Sequence, residues 1–522
     1  MKTTLLTLAI SLIIIIDCNS QPVIVWEKTL GGTNHEYSCN TIPTSDGGMA
    51  FVGFSESDDV DVSDNNGGVD LWVGKLDSDG VLTWSYLYGG SETDKGFDIL
   101  QTDDGGYMVA GMTASFDGDV TGHQGSWNND FWVLKLSPEG ELTWAKCYGG
   151  TNDESGAAIA QTTEGDFYIA GTTYSDDGDI TINLGENDFW VIKIDSDGTL
   201  LHQKSIGGSM VDEGISLCAT ADNGCIVCGR TFSSDNDAVG YHDGSDMLVA
   251  KLSTTLTVEW SACYGGSETE ECNSIVQLDD ESFAALGYTS THNNGDVTGH
   301  HGSQGTDDFW LLKLSSTGDL TSAKCFGGSS DDQANGLIAT SDGNFVLCGL
   351  TNSNDGDVSG FHTSMFEPDV WVAEVNSIGD LIWQRCCGGS AQDEGFNVFE
   401  LSNNTFVVTA FTYSSNFDVT NNYGSADAWI FKITNLSEIS NAIDDGMLTV
   451  YPNPANDYLN IEISDANNYC FVEISNIVGS VLKSSRLNNN QNIIDISDLS
   501  KGVYFVHVTI GESKITNKII KQ

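Results

Sequence analysis

The chain has 522 residues, with 20 Lys or Arg against 75 Asp or Glu, a formal charge of −55 and a pI of about 4.1. Such a surface repels phosphate backbones and anionic lipid, which argues against nucleic acid as a partner and leaves cations, cationic peptides and neutral sugars open. Hydrophobic residues make up 39%, and there are 58 glycines but only 6 prolines. That composition supplies cores and many tight turns rather than disorder, and the length calls for more than one core.

In chain order, residues 1–20 (MKTTLLTLAISLIIIIDCNS) carry one lysine, an apolar run over Leu5–Ile16 and then small or polar residues. The run is short for a membrane span and has the layout of a cleaved signal peptide, with cleavage near Ser20. Cys18 would suit lipid attachment, but Asp17 is a poor neighbour for it. No later stretch is long and apolar enough for a spanning helix, so the chain is expected to leave the cytoplasm with its other cysteines in an oxidising compartment. Cys147, Cys263, Cys325 and Cys386 occupy one repeat position that Thr29, Leu87 and Ser205 fill elsewhere, as small core fillers do. The CIVC of 225–228 lies in a strand-like run that sends its two thiols to opposite faces, which argues against a shared metal.

A double glycine recurs about every 60 residues, beginning at Gly31, Gly89, Gly149, Gly207, Gly265, Gly327 and Gly388. The unit from 149 reads GGTNDESGAAIAQTTEGDFYIAGTTYSDDGDITINLGENDFWVIKIDSDGTLLHQKSI. It predicts four strands: a (GAAIAQT), b (FYIAGTT), c (DFWVIKI) and d (TLLHQKSI). Asp/Gly turns join a to b and c to d, and a longer loop joins b to c. The chain enters with a d strand alone, VIVWEKTL, and leaves with a, b and c alone, ending at AWIFKIT. These remnants complete one another, which predicts an all-β, seven-bladed β-propeller over 22–434 closed by its N-terminal strand. The unit GGSETDKGFDILQTDDGGYMVAGMTAS and its six sisters resemble the bacterial β-propeller repeats of secreted surface proteins. That resemblance implies a fold and an exported location, not an activity.

Three features recur. Four residues after each double glycine stands an acid: Glu36, Asp94, Glu154, Asp212, Glu270, Asp332 and Asp393. Small residues follow two positions later (Ser38, Gly96, Gly156, Gly214, Cys272, Ala334 and Gly395). If strand a is innermost, the small residues line a crowded axis and the acids ring one mouth of the channel, for cation binding or as caps and ion-pair partners. Strand c carries Lys75, Lys135, Lys193, Lys251, Lys313 and Lys432, broken by Glu374. Semi-buried ammonium groups need partners, so these lysines are expected to pair with recurring acids and lock strands or blades together. Each b–c loop opens with an aspartate (Asp61, Asp119, Asp179, Asp237, Asp296, Asp357, Asp418) and closes with another (Asp70, Asp130, Asp188, Asp246, Asp308, Asp369, Asp427). Between them His123, His242, His300, His301 and His362 alternate with residues such as Asn65, Asn183 and Asn422, as interchangeable loop residues rather than catalytic ones.

Strand direction puts the d–a and b–c loops on one face and tight hairpins on the other. The acids, the histidines and all the long loops thus share the first face, which makes it the candidate ligand-binding face. No cofactor is required. Calcium is the cation the loop of 55–70 suits, through Asp58, Asp59, Asp61, Asp64 and Asp70, although no complete EF-hand spacing is present. No nucleophile and base are brought together. The reading is therefore a monomeric binding or adhesion module for an extracellular glycan or protein. Its alternative is a carbohydrate-active hydrolase or lyase using carboxylates of that face.

After Thr434 the repeat stops. Residues 435–446 read as a linker, and 447–522 alternate as a small Ig-like β-sandwich. This block resembles the C-terminal sorting domain of type IX secretion substrates, on Tyr451, Pro452, Asn453, Pro454, Gly479, Leu499 to Tyr504 (with Gly502), Lys518 and Lys521. The resemblance implies recognition by the type IX machinery of a Gram-negative bacterium, passage across the outer membrane, and then release or surface attachment.

Overall fold

The b and c segments are runs of β-branched, aromatic and small residues, such as Phe167–Thr173 and Asp188–Ile194. Runs of this length and content favour strands covered on both faces. The computed structural model describes residues 21–362, 367–402 and 404–435, and then 448–451, 455–463, 470–476, 481–487, 491–497, 499–510 and 513–521. Among them every regular element is a strand, and no helix is long and apolar enough to cross a membrane. The expected signal peptide and nearly all of the linker lie outside the described residues. The chain divides after Thr434 into two compact units.

The first unit contains seven four-stranded antiparallel sheets, each ordered a-b-c-d. In the first blade these strands are Glu36–Pro43, Met49–Ser55, Asp70–Leu76 and Leu82–Tyr88. The seventh blade takes a, b and c from Asp393–Ser402, Thr405–Thr412 and Asp427–Thr434, and its outer strand from Val23–Leu30, with Val23 opposite Thr434 and Leu30 opposite Ala428. The a strands contact one another in succession, and Asp393–Ser402 returns to Glu36–Pro43. The sheets therefore form a closed β-propeller whose first and last strands share a blade.

The cores lie between blades. Val52, Leu71 and Val73 of the first blade pack with Ile99, Tyr107, Val109 and Trp132 of the second. The small residues of strand a let it pack closely against the neighbouring blade. A Cβ on Gly96 would stand 2.4 Å from Val52 Cγ2, and one on Gly395 would stand 2.6 Å from Cys348 Sγ. Directly after the small residue, the a–b pairing is bulged in every blade, which bends the innermost strand and increases its twist. The described cysteines form no disulfide. Cys225 and Cys228 enter different cores, as their spacing along a strand predicts.

In the second unit, Leu448–Tyr451, Tyr458–Ile463 and Gln491–Asp495 form one sheet. Val481–Leu487, Cys470–Ser475, Gly502–Ile510 and Ser513–Lys521 form the other, in that order. Leu459, Ile461, Val472, Ile474, Val506 and Ile519 fill the core they share. Tyr504 is buried there and donates its hydroxyl to the Ser500 carbonyl at 2.8 Å. Lys521 lies 3.8 Å from Asp457, Lys518 is exposed, Gly502 opens its strand, and the Tyr451 carbonyl accepts from Asn460. Pro452, Asn453, Pro454 and Gly479 lie outside the described residues.

Candidate functional site

Each strand a begins with its acid, and the turn geometry of the double glycine aims a backbone amide at it. Gly32, Gly90, Gly150, Gly208, Gly266, Gly328 and Gly389 donate N–H bonds of 2.6–2.8 Å to Glu36, Asp94, Glu154, Asp212, Glu270, Asp332 and Asp393. A hydroxyl at the end of strand b adds a second bond, from Ser55, Thr113, Thr173, Thr231, Thr289, Thr351 and Thr412 respectively. Two residues on, Ser115, Ser233, Ser353 and Ser414 donate a third to their acids at 2.8–2.9 Å. All seven acids are fully buried. They do not stand open at a channel mouth. They tie the entry of each blade to the end of its second strand, and charge-assisted bonds of this kind are the stronger ones. The recurring hydroxyl pair, Thr-x-Ser in most units, is the signal in the sequence that marks the acids' partners.

The aspartate that opens strand c meets the acid of the following blade. A Cβ on Gly89 would stand 2.3 Å from Asp70 Oδ1 and 2.5 Å from Asp94 Oδ2. Only glycine lets both carboxylates flank the chain at this point. The same juxtaposition occurs at Gly31, Gly149, Gly207, Gly265, Gly327 and Gly388. One oxygen of each aspartate takes a loop amide, from Asn66, Gln124, Leu184, His242, His301, His362 or Tyr423. The other is buried and takes no hydrogen bond among the described residues. Burial first, and then the neighbouring acids, push Asp70, Asp130, Asp188 and Asp427 up to about 7. Burial likewise takes Asp332 and Asp393 to about 7. A carboxyl that keeps its proton near neutrality can donate it to the carboxylate beside it.

The histidines divide into two groups. His242, His301 and His362 place Nδ1 2.9 Å from Asp246, Asp308 and Asp369 of their own blades. Their Nε2 atoms lie 3.9, 3.5 and 3.9 Å from Asp296, Asp357 and Asp418 of the next blade. They are junction residues, and in the second blade Gln124 does the same work by donating to Asp179. His123 and His300 instead contact the carbonyls of Asn128 and Thr306 within their own loops. The loop-opening aspartates bind back through the main chain, with Asp61, Asp119 and Asp179 N–H donating to Gly31, Gly89 and Gly149 carbonyls.

The strand-c lysines pair with acids, but with those of the opposite face. Lys75, Lys135, Lys193 and Lys251 lie 2.8–3.0 Å from Asp46, Asp104, Asp166 and Asp222 in the a–b hairpins of their own blades. Hydrogen bonds from Thr44 and Lys75 hold Asp46 well below the usual carboxylate range. Lys313 donates to the Ser377 carbonyl of the next blade, and Lys432 stands 5.6 Å over the Trp26 ring. Glu374, where the series breaks, accepts from Asn344 and Trp383.

The calcium candidates do not converge. Asp58 accepts from the Asp64 amide, Asp59 from the Thr33 amide and hydroxyl, and Asp70 sits in the blade junction. Among the described residues no three His, Cys, Asp or Glu side chains are placed to hold a metal ion.

Beside exposed loop aspartates, the loop face presents apolar side chains. Val60, Phe116, Trp127, Ile182, Val239 and Phe417 are each more than half exposed there, and Trp127 is 80% exposed. On the hairpin face only Val81 and Ile378 are comparably exposed among the described residues. Residue recurrence could not find these side chains, because the residue type at each of their positions changes from blade to blade.

Fold and surface together define the class: a closed β-propeller with buried carboxylate junctions, in a chain that ends in a small two-sheet β domain. Residues 449–522 match the family described as the secretion system C-terminal sorting domain, and the tail is a type IX sorting domain, which implies secretion. No curated protein sequence matches the chain. Among solved structures, the Pan2 WD40 domain of Neurospora crassa has 10% identity and a TM-score of 0.41, covering 77% of this chain and 95% of its own. A protein of unknown function from Dyadobacter fermentans has 12% identity and a TM-score of 0.39, covering 80% and 100%. Sqt1 from Chaetomium thermophilum has 10% identity and a TM-score of 0.40, covering 78% and 98%. The propeller assignment rests on this chain's own strand pairing and ring closure.

Proposed function

We propose that the protein is an exported binding or adhesion module, released or held on the outer cell surface, whose d–a/b–c loop face contacts an extracellular glycan or protein. A signal peptide at 1–20 would take it across the inner membrane, and the sorting tail across the outer one. The observation that carries the binding reading is the distribution of exposed apolar side chains. They concentrate on the face with the long loops, where a rigid ring holds them apart, while the acids that open strands a and c are withdrawn into the frame. The alternative is a carbohydrate-active enzyme using carboxylates of the same face; those that begin the a strands already accept glycine, serine and threonine donors. A glycan and peptide array probed with the full chain, with a reducing-sugar assay alongside, separates the two. Retention without sugar release supports the module, and sugar release supports the enzyme. Neither retention nor release would leave a purely structural surface protein.

A further inference from the structure

Every b–c loop turns through one left-handed residue immediately before its opening aspartate. Its occupants are Val60, Gly118, Gly178, Asn236, Gly295, Gly356 and Phe417, with φ between 51° and 66°. Glycine and asparagine suit this conformation, and other residues are strained in it. A β-branched or bulky side chain there is a true outlier. The two exceptions lie in the first and seventh blades, which adjoin at the ring closure. Neither side chain gains burial from the strain: Val60 is 59% exposed, and Phe417, whose ring centre lies 5.2 Å from that of His362, is 68% exposed.

Strain that the folded chain does not use points to a contact outside it. The surroundings define its chemistry. Asp58, Asp59 and Asp61 flank Val60, Asp418 follows Phe417, and the half-exposed Tyr423 shares the Phe417 loop. Arg385, the cation bonded to Asp418, is thereby already paired. The patch is thus apolar at its tips; at Phe417 the Arg385 and His362 cations offset Asp418, and the negative charge lies beside Val60, at Asp58, Asp59 and Asp61, on a chain of net charge −55. The carboxylates beside Val60 complement a cationic side chain, for which a neutral sugar has no counterpart, and this favours a basic polypeptide over a glycan.

We propose that Val60 and Phe417 anchor a docking surface for a basic, apolar segment of another protein. This rests on the binding-module reading and names the partner's chemistry. The two side chains supply apolar anchors on adjoining blades, and the aspartates beside Val60 supply steering and orientation.

The test uses the full chain and a fluorescent peptide of alternating lysine and leucine, with polylysine, a glutamate–leucine peptide and neutral oligosaccharides as controls. The lysine–leucine peptide should bind best. Val60→Gly/Phe417→Gly should weaken it tenfold or more, while the melting temperature stays constant or rises because glycine relieves the left-handed strain. The proposal is overturned if the double variant binds equally well, if polylysine binds as tightly, if the peptide does not bind, or if melting falls. Binding that survives the double variant but is lost in Trp127→Gly would remove this patch and leave the binding module standing. An array with no glycan or peptide retained would remove both.

Discussion

His362 Nδ1 stands 2.9 Å from Asp369 Oδ2, joining a loop histidine to the first residue of strand c. That bond, chiefly, holds the imidazole protonated above the usual histidine range, helped by Asp369 and Asp418 and opposed by burial and Arg385. A raised histidine pKa stabilises the fold fully below the unfolded value, and the gain is lost as pH rises through the folded value. His362→Gln should therefore lower the melting temperature at pH 6 and do little at pH 9. Equal losses at both would assign His362 a packing role only.

The carboxylate junctions push in the same direction. Asp70, Asp130, Asp188 and Asp427 titrate near 7 in the fold but at about 4 when unfolded. Between these values the folded chain binds more protons, so stability falls as pH rises from about 4 to 7 and levels off above. Asp70→Asn should raise the melting temperature at pH 8, leave it unchanged at pH 4 and flatten the dependence between. A melting temperature that climbs from pH 5 to pH 8 in the parent chain would contradict the junction electrostatics.

On the hairpin face, Lys193 is nearly buried, 3.0 Å from Asp166 and 5.5 Å from the centre of the Tyr168 ring. Lys193→Ala should cost about 2 kcal/mol in denaturant unfolding. That is less than the roughly 3–5 of a fully buried pair, because Asp166 keeps some access to water. Array binding should not change, since the loop face lies at the other end of the strands. An unaltered unfolding midpoint would deny the lysine its locking role.

Export is separable from the ring. In the producing bacterium, a chain lacking 449–522 should accumulate in the periplasm, folded and protease-resistant, while the full chain reaches the outside. Continued export of the truncated chain would show that the sorting tail is dispensable.

The ring and the tail were legible in the sequence because hairpin signals, the double glycine and the order of the tail motifs survive every change of side chain. The lysine partners were not, because an acid recurs at both ends of each blade and spacing cannot say which end strand c's lysine reaches. The junction role of three histidines was hidden for a different reason. Gln124, His242, His301 and His362 occupy one structural slot, yet lie six, four, seven and seven residues before their aspartates. Unequal loop lengths hide the equivalence, and pairing across blades creates it. Val60 and Phe417 do sit at a recurring position, but their meaning needed the positive φ and the exposure together.

The division of labour between buried frame and exposed loop tips is tested most directly by one paired comparison, Asp94→Asn against Trp127→Gly, each read for melting and for array binding. Asp94 accepts from Gly90, Thr113 and Ser115, so its amide variant should lose roughly 1–3 kcal/mol of stability and keep the parent binding pattern. Trp127, 80% exposed at φ 76°, should show the reverse, with weakened binding and melting constant or raised. Loss of binding in a still-folded Asp94→Asn chain, with Trp127→Gly binding as the parent does, would place the contact surface in the acids and contradict the assignment.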